Sequence, residues 1–229
     1  MSWREIFRVF LCSIFMIALV VQASQAQAPG QSSSSAKSKP ARKAASGADS
    51  FPDAGTVVNS LYRNPGFAFT CKTPAGWVLR TEEMNARDDQ SAKTDGNGGE
   101  GGRVLLAAFS RPPEARAEDV NGSILIAAES AASYPGLKDA AQYFGPITEV
   151  AKAQGFEMDD DPYEFAVGMK KLVRADFQKD VGTRVMRQST LVMLARGFVV
   201  SFTFIGGTED EVEELVQGLS FGVSKSTAR

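Results

Sequence analysis

The sequence contains no histidine among its 229 residues. That absence excludes the imidazole-based triads and dyads of nucleophilic hydrolases, histidine-ligated zinc sites and any switch titrating through a histidine near neutral pH. Cysteine is nearly as scarce, with two in the chain, Cys12 and Cys71. Neither sign of charge dominates, because 25 basic residues stand against 27 acidic ones. With 43% apolar residues, 21 glycines and 10 prolines, the composition is that of a globular protein of one or two domains.

The longest apolar run, Val9 to Val21, follows Arg4 and Arg8 and leads into small and polar residues. This is the pattern of a secretory signal peptide, and the run falls short of the roughly 20 apolar residues that span a bilayer. Cleavage is expected after Ala26, with Ser24 at minus three. An uncleaved signal anchor is the only way the chain is expected to touch a membrane. Residues 27–55 form a Ser/Ala/Lys-rich stretch carrying Lys37, Lys39, Arg42 and Lys43. With almost nothing to bury, it is expected to be a disordered linker. The predicted organisation is therefore a signal peptide over 1–26, a linker over 27–55, one domain over 56–224 and a disordered tail over 225–229. The six bases and two acids of the first 50 residues leave 19 bases against 25 acids, so the remainder carries -6. An acidic domain without a basic stripe lacks the footprint that nucleic acid requires. A secreted or periplasmic location follows from the leader.

Loss of the leader leaves Cys71 as the sole thiol, so no internal disulfide is available. Alternation in Phe67-Ala68-Phe69-Thr70-Cys71-Lys72 places Phe67, Phe69 and Cys71 on one face, which predicts a buried, unreactive thiol. Strands are expected over Thr56 to Tyr62 and Phe67 to Thr73, turning at Asn64-Pro65-Gly66. Further strands are expected over Val104 to Phe109 and Ser123 to Ala128. Leu137 to Gln154 reads as a helix broken or kinked at Pro146, with Leu137, Ala140, Ala141 and Phe144 facing the sheet. A three-stranded meander is predicted over Val167 to Gln178, Thr183 to Ala195 and Phe198 to Ile205. Its turns are Lys179-Asp180-Val181-Gly182 and Arg196-Gly197. Thr208 with Glu211 forms a capping box, followed by the stripe Val212, Leu215, Val216 and Leu219 of a closing helix.

Three features invite functional readings that their details do not support. The glycine-rich stretch within Asp88 to Gly102 lacks the Lys and hydroxyl of a phosphate loop and reads as a surface loop. The acids Glu157, Asp159, Asp160 and Asp161 lack the order of a calcium loop. Asn121-Gly122-Ser123 matches a glycosylation sequon, relevant only if a eukaryote secretes the chain. A fourth feature stays open. Arg174 and Asp176 share a strand face, and closure through Lys179 to Gly182 would set Arg174 opposite Arg187. Two guanidinium forks and a carboxylate could receive an anionic ligand or a partner's acid, or could form an ion network. No residues point to a catalytic constellation, a metal site or a cofactor.

The opening Tyr62-Arg63-Asn64-Pro65-Gly66-Phe67-Ala68-Phe69 and the turn Pro74-Ala75-Gly76-Trp77 resemble the start of PsbP-like domains, in particular secreted bacterial members. The strand Gly197-Phe198-Val199-Val200-Ser201-Phe202-Thr203-Phe204 and a final helix ending at Leu219-Ser220-Phe221 are similar in order and spacing. The resemblance implies an α+β fold, an α/β/α sandwich with an antiparallel sheet flanked by helices. It also implies a non-enzymatic binding or assembly module, with an unidentified envelope protein as partner. A small-molecule carrier with its ligand between sheet and helices is the alternative.

Overall fold

The computed structural model describes residues 53–94, 102–112 and 119–222. The expected leader, nearly all of the expected linker and the expected tail lie outside the described residues. So does most of the glycine-rich stretch. Every strand pairing in the described chain is antiparallel, and the strands form two sheets.

The smaller sheet has the order β1-β2-β3-β12, built from Thr56–Val58, Leu61–Asn64, Phe69–Lys72 and Leu219–Phe221. The single strand expected over Thr56 to Tyr62 is two strands. Asn59 and Ser60 both take positive φ, 50° and 58°, and fold the chain back as a two-residue hairpin turn. The turn after Asn64 forms as expected, with Asn64 Oδ1 accepting from Phe67 N at 2.9 Å. Phe67 lies within this turn and not in the strand, yet is buried like Phe69 and Cys71.

The larger sheet runs β4-β5-β6-β11-β10-β9-β7, with β8 also on β9. Its strands are β4 Val78–Leu79, β5 Gly102–Phe109, β6 Ser123–Ser130, β7 Glu157–Met158, β8 Tyr163–Val167, β9 Lys170–Val181, β10 Arg184–Ala195 and β11 Phe198–Gly206. Val167 is not the start of a long strand, because a turn at Gly168 and Met169 separates β8 from β9. The meander therefore has four strands. Phe198, Val200, Phe202 and Phe204 of β11 all join the core cluster on one face of this sheet, as alternation requires.

That face is covered by the small sheet and by α3, Glu209–Gln217. The opposite face is covered by α2, Phe144–Ala153, through Phe144, Ile147 and Ala151, and by Tyr134, Tyr143 and Phe156. The α/β/α expectation thus holds with one amendment, since one outer layer combines a helix with a second sheet. Pro146 does not break α2. It sits in the first helical turn, where an amide hydrogen would find no intrahelical acceptor, so the ring is accommodated at the start. Residues 137–140 are not helical, and Ala141 is exposed. Thr208 caps α3, accepting from Glu211 N at 3.2 Å, while the Glu211 carboxylate accepts from Gly207 N at 2.7 Å. The helix stops at Gln217. Leu219 is buried as expected, but in β12 pairing with Cys71 of β3.

The stretch beginning at Asp88 departs furthest from expectation, because α1 runs from Thr81 to Thr94. Its composition offers almost no apolar stripe, and among its described side chains Met84 reaches a small cluster with Val104, Ala107, Phe109 and Leu125. Polar groups attach it instead. Thr81 Oγ1 accepts from Ala107 N at 2.9 Å, and Arg80 N donates to Ala107 O at 2.9 Å. The Asn85 carboxamide bonds both ways with Val104, accepting from N at 3.0 Å and donating to O at 2.9 Å. These bonds occupy the edge of β5 beyond the end of β4.

Candidate functional site

Strand pairing decides the fate of the three residues singled out by sequence. The turn between β9 and β10 is Gly182-Thr183, with Gly182 at φ 63°, and the strands pair through to Val181 opposite Arg184. The wider loop expected from Lys179 to Gly182 does not form, and the register shifts accordingly. Arg174 lies opposite Leu191, Asp176 opposite Ser189 and Arg187 opposite Gln178. All three stay on the face that carries α3, but Arg174 and Arg187 sit four residues apart along the ladder, about 13 Å. They do not form one site.

Arg174 is only 6% exposed. Its Nε donates to both Asp176 oxygens at 2.9 and 3.1 Å, its Nη2 donates to Glu213 of α3, and its guanidinium lies 4.9 Å from the Phe165 ring centre. The Tyr163 hydroxyl completes the set by donating to Asp176 Oδ2 at 2.9 Å. Burial works against the Arg174 charge, yet the bonds to Glu213 and the field of Asp176 outweigh it and lift the guanidinium above its ordinary value. Burial, aided by the bond to Asp176, pushes the Tyr163 hydroxyl up to about 12. Arg174 and Asp176 therefore anchor α3 and β8 to the sheet. Tyr163, Phe165 and Glu213 were not singled out by sequence. The alternation of Tyr163 and Phe165 before Gly168 was the available signal for β8.

Arg187 lines an open groove of about 470 Å³ together with Arg184 and Val185 of β10, Val120, and Thr208 and Glu209 at the start of α3. Gly206, opposite Arg187, permits this geometry: a Cβ there would lie 3.0 Å from Glu211 Cβ and 3.2 Å from Val212 Cγ2. Just outside, burial raises the Asp159 carboxyl above its ordinary value. Arg187 opposes that shift, and Asp176, Asp160 and Glu209 add to it. Asp159, Asp160 and Asp161 are exposed, and no group of three or more ligating side chains among the described residues is gathered to hold a metal ion.

The remaining sequence candidates have structural employment. Cys71 is fully buried, and burial pushes its thiol up to about 12. A disulfide reagent is accordingly expected to label the native protein at least about a hundredfold more slowly than the urea-unfolded chain. Equal rates would place the thiol at the surface. Asn121 of the sequon accepts from Ser110 Oγ at 2.9 Å and Arg111 N at 3.2 Å, and donates to Arg111 O at 3.2 Å. Its carboxamide ties the chain just after β5 to the chain just before β6.

No protein-family model matches the chain, and no curated protein does. Solved structures similar in fold include a PsbP-like protein, the family that the sequence resembles. Cyanobacterial PsbP (CyanoP) from Synechocystis is 16% identical, with 73% of this chain and 96% of that one covered at a TM-score of 0.44. The Saccharomyces cerevisiae Ran-binding protein Mog1p is 14% identical over 73% of this chain and 86% of that one, at 0.37. LpqN, involved in cell envelope biogenesis of Mycobacterium tuberculosis, is 13% identical over 68% and 83%, at 0.34. These likenesses concern fold alone, and the α+β class rests on the strand pairing and helices described above.

Proposed function

We propose that the chain is a non-enzymatic accessory module of the cell envelope, secreted or periplasmic, which binds another protein through the groove between β10 and α3. The observation that supports this reading is the groove's lining. Arg184, Arg187 and Glu209 alternate there with Val120 and Val185, the mixed polar and apolar surface of a protein contact. Arg174 and Asp176 contribute by fixing α3, whose first turn forms one wall. The reading draws its location from the leader-like N-terminus. No helix among the described residues is long and apolar enough to cross a membrane.

The aromatic positions that a carrier would use are spent on packing. Phe69 meets Phe202 edge to face at 4.9 Å, Phe202 meets Phe221 at 5.9 Å, and Phe67 meets Phe198 at 5.9 Å. The protein-binding reading therefore has the better support.

Photo-crosslinking from Val185, in the protein's own host, tests the proposal. The expected result is one stoichiometric protein adduct, weakened at least about tenfold by Arg187→Glu without loss of thermal stability. No adduct, or one indifferent to Arg187→Glu, overturns it. Native mass spectrometry showing a retained molecule of small mass would favour the carrier instead.

A further inference from the structure

Between β6 and α2 the chain crosses the face of the large sheet as a strap, residues 131–143. The penultimate residue of β6, Glu129, lies beneath it and is only 7% exposed. Glu129 Oε2 accepts from the Tyr134 hydroxyl, and Oε1 lies 2.6 Å from the Tyr143 hydroxyl. The two phenol rings meet edge to face with centres 5.1 Å apart. Two phenols thus bracket one carboxyl group, and both rings belong to the apolar cluster of Phe144, Ile147 and Val199.

No cation among the described residues compensates the carboxyl group. Gly102 of β5 and Val199 of β11 lie directly opposite Glu129. Arg103 is paired with Ala128 and so projects from the other face, where its charge acts on Tyr62. Lys138 and Asp139 of the strap, Glu149 and Lys152 of α2, and Arg196 in the neighbouring turn are exposed.

Protonated, the carboxyl group accepts from Tyr134 at Oε2, can donate from Oε1 to the Tyr143 oxygen, and buries no charge. Ionised, it accepts from both phenols but is left as a buried charge with no counter-ion among the described residues.

We propose that Glu129, Tyr134 and Tyr143 form a proton-operated latch that holds the strap to the sheet when Glu129 is protonated and releases it when Glu129 ionises. The strap's attachments make release a local event. Ala131 N bonds to Gly197 O at 2.8 Å and the phenols bond to Glu129, whereas the bonds of Tyr134 N, Leu137 N, Lys138 N and Gln142 N close within the strap. Burial pushes the Glu129 carboxyl above the ordinary carboxylate range, overcoming the two phenol bonds that favour its charge. Burial and the neighbouring carboxyl likewise raise both phenols, which keep their protons throughout. An acid raised in the closed state stabilises closure fully below its open-state value. That stabilisation is lost as pH rises to the closed-state value, with the opening constant growing up to about tenfold per pH unit between the two.

Hydrogen exchange read by mass spectrometry over residues 131–143, corrected for intrinsic rate and referenced to β11, tests the latch from about pH 4 to about pH 9. Protection of the strap is expected to fall with rising pH while β11 stays unchanged. In Glu129→Gln the carboxamide donates and accepts as the protonated acid does, so the strap should remain protected at every pH. Tyr143→Phe should lose protection already at low pH. A wild-type strap whose protection is flat with pH, or a Glu129→Gln strap with the wild-type slope, overturns the proposal. If Glu129→Gln fails to fold, infrared titration of the wild type decides. A protonated carboxyl band that disappears over the pH range in which the strap loses protection, and that persists in Asp159→Asn, supports the latch; a band that is absent or titrates elsewhere overturns it.

Discussion

Replacing Phe202 with alanine is expected to remove about 3–5 kcal/mol of stability, a large part of what a domain of this size has. Phe202 stands in the middle of β11, fully buried, and β11 is the fourth strand in a sheet seven strands across. Its ring meets Phe69 of β3 at 4.9 Å and Phe221 of β12 at 5.9 Å, so one side chain joins the large sheet to two strands of the small one. Truncation leaves a cavity walled by two sheets, neither of which can close on it without breaking strand pairing. Urea unfolding should show a lower midpoint with an unchanged slope. A loss below about 1 kcal/mol would mean that the sheets slide together and fill the space.

Arg174→Met is expected to cost about 2–3 kcal/mol, measured the same way. The substitution keeps an unbranched apolar stem but removes the guanidinium from over Phe165 and strands Asp176 and Glu213, which share it. Their side chains are 28% and 36% exposed, so water takes over part of the lost interaction, and the expected cost falls below that of a wholly buried pair. The loss should be shared with Glu213→Gln in a double-mutant cycle, because α3 is fixed to the sheet through that bond. Additive effects would show that α3 is held by Val212, Leu215 and Val216 alone.

Much of this architecture is legible in the residues. β5, β6 and β11 are continuous apolar or alternating runs, and α3 announces itself by its cap, its acidic first turn and its apolar stripe. What escapes notice is decided by backbone conformation and by polar attachment. The Asn59-Ser60 turn contains no glycine, and both residues nonetheless take positive φ. Gly182 marked the right hairpin, but the turn centres two residues further on than a loop from Lys179 to Gly182 implies, and the shift carries Arg187 away from Arg174. The candidate site was accordingly half legible. Alternation put Arg174 and Asp176 on one face with Arg187 across from them, whereas their distances depended on register and their partners included an α3 carboxylate 39 positions away in sequence. Glu129 was hidden for the same reason, since Tyr134 and Tyr143 reach it through a strap with no periodic pattern.

The attachment of α1 has a consequence for how the molecule ends. A carboxamide is chemically a peptide group, and Asn85 offers Val104 the same donor and acceptor that a further strand would. Thr81 and the Arg80 amide do the same for Ala107. The large sheet is thus finished along β5 with an imitation of its own repeating unit, placed on a helix that cannot itself be extended strand by strand. A second copy arriving there would find its template already occupied, so growth into a fibre is stopped at this edge by side-chain chemistry, without another strand.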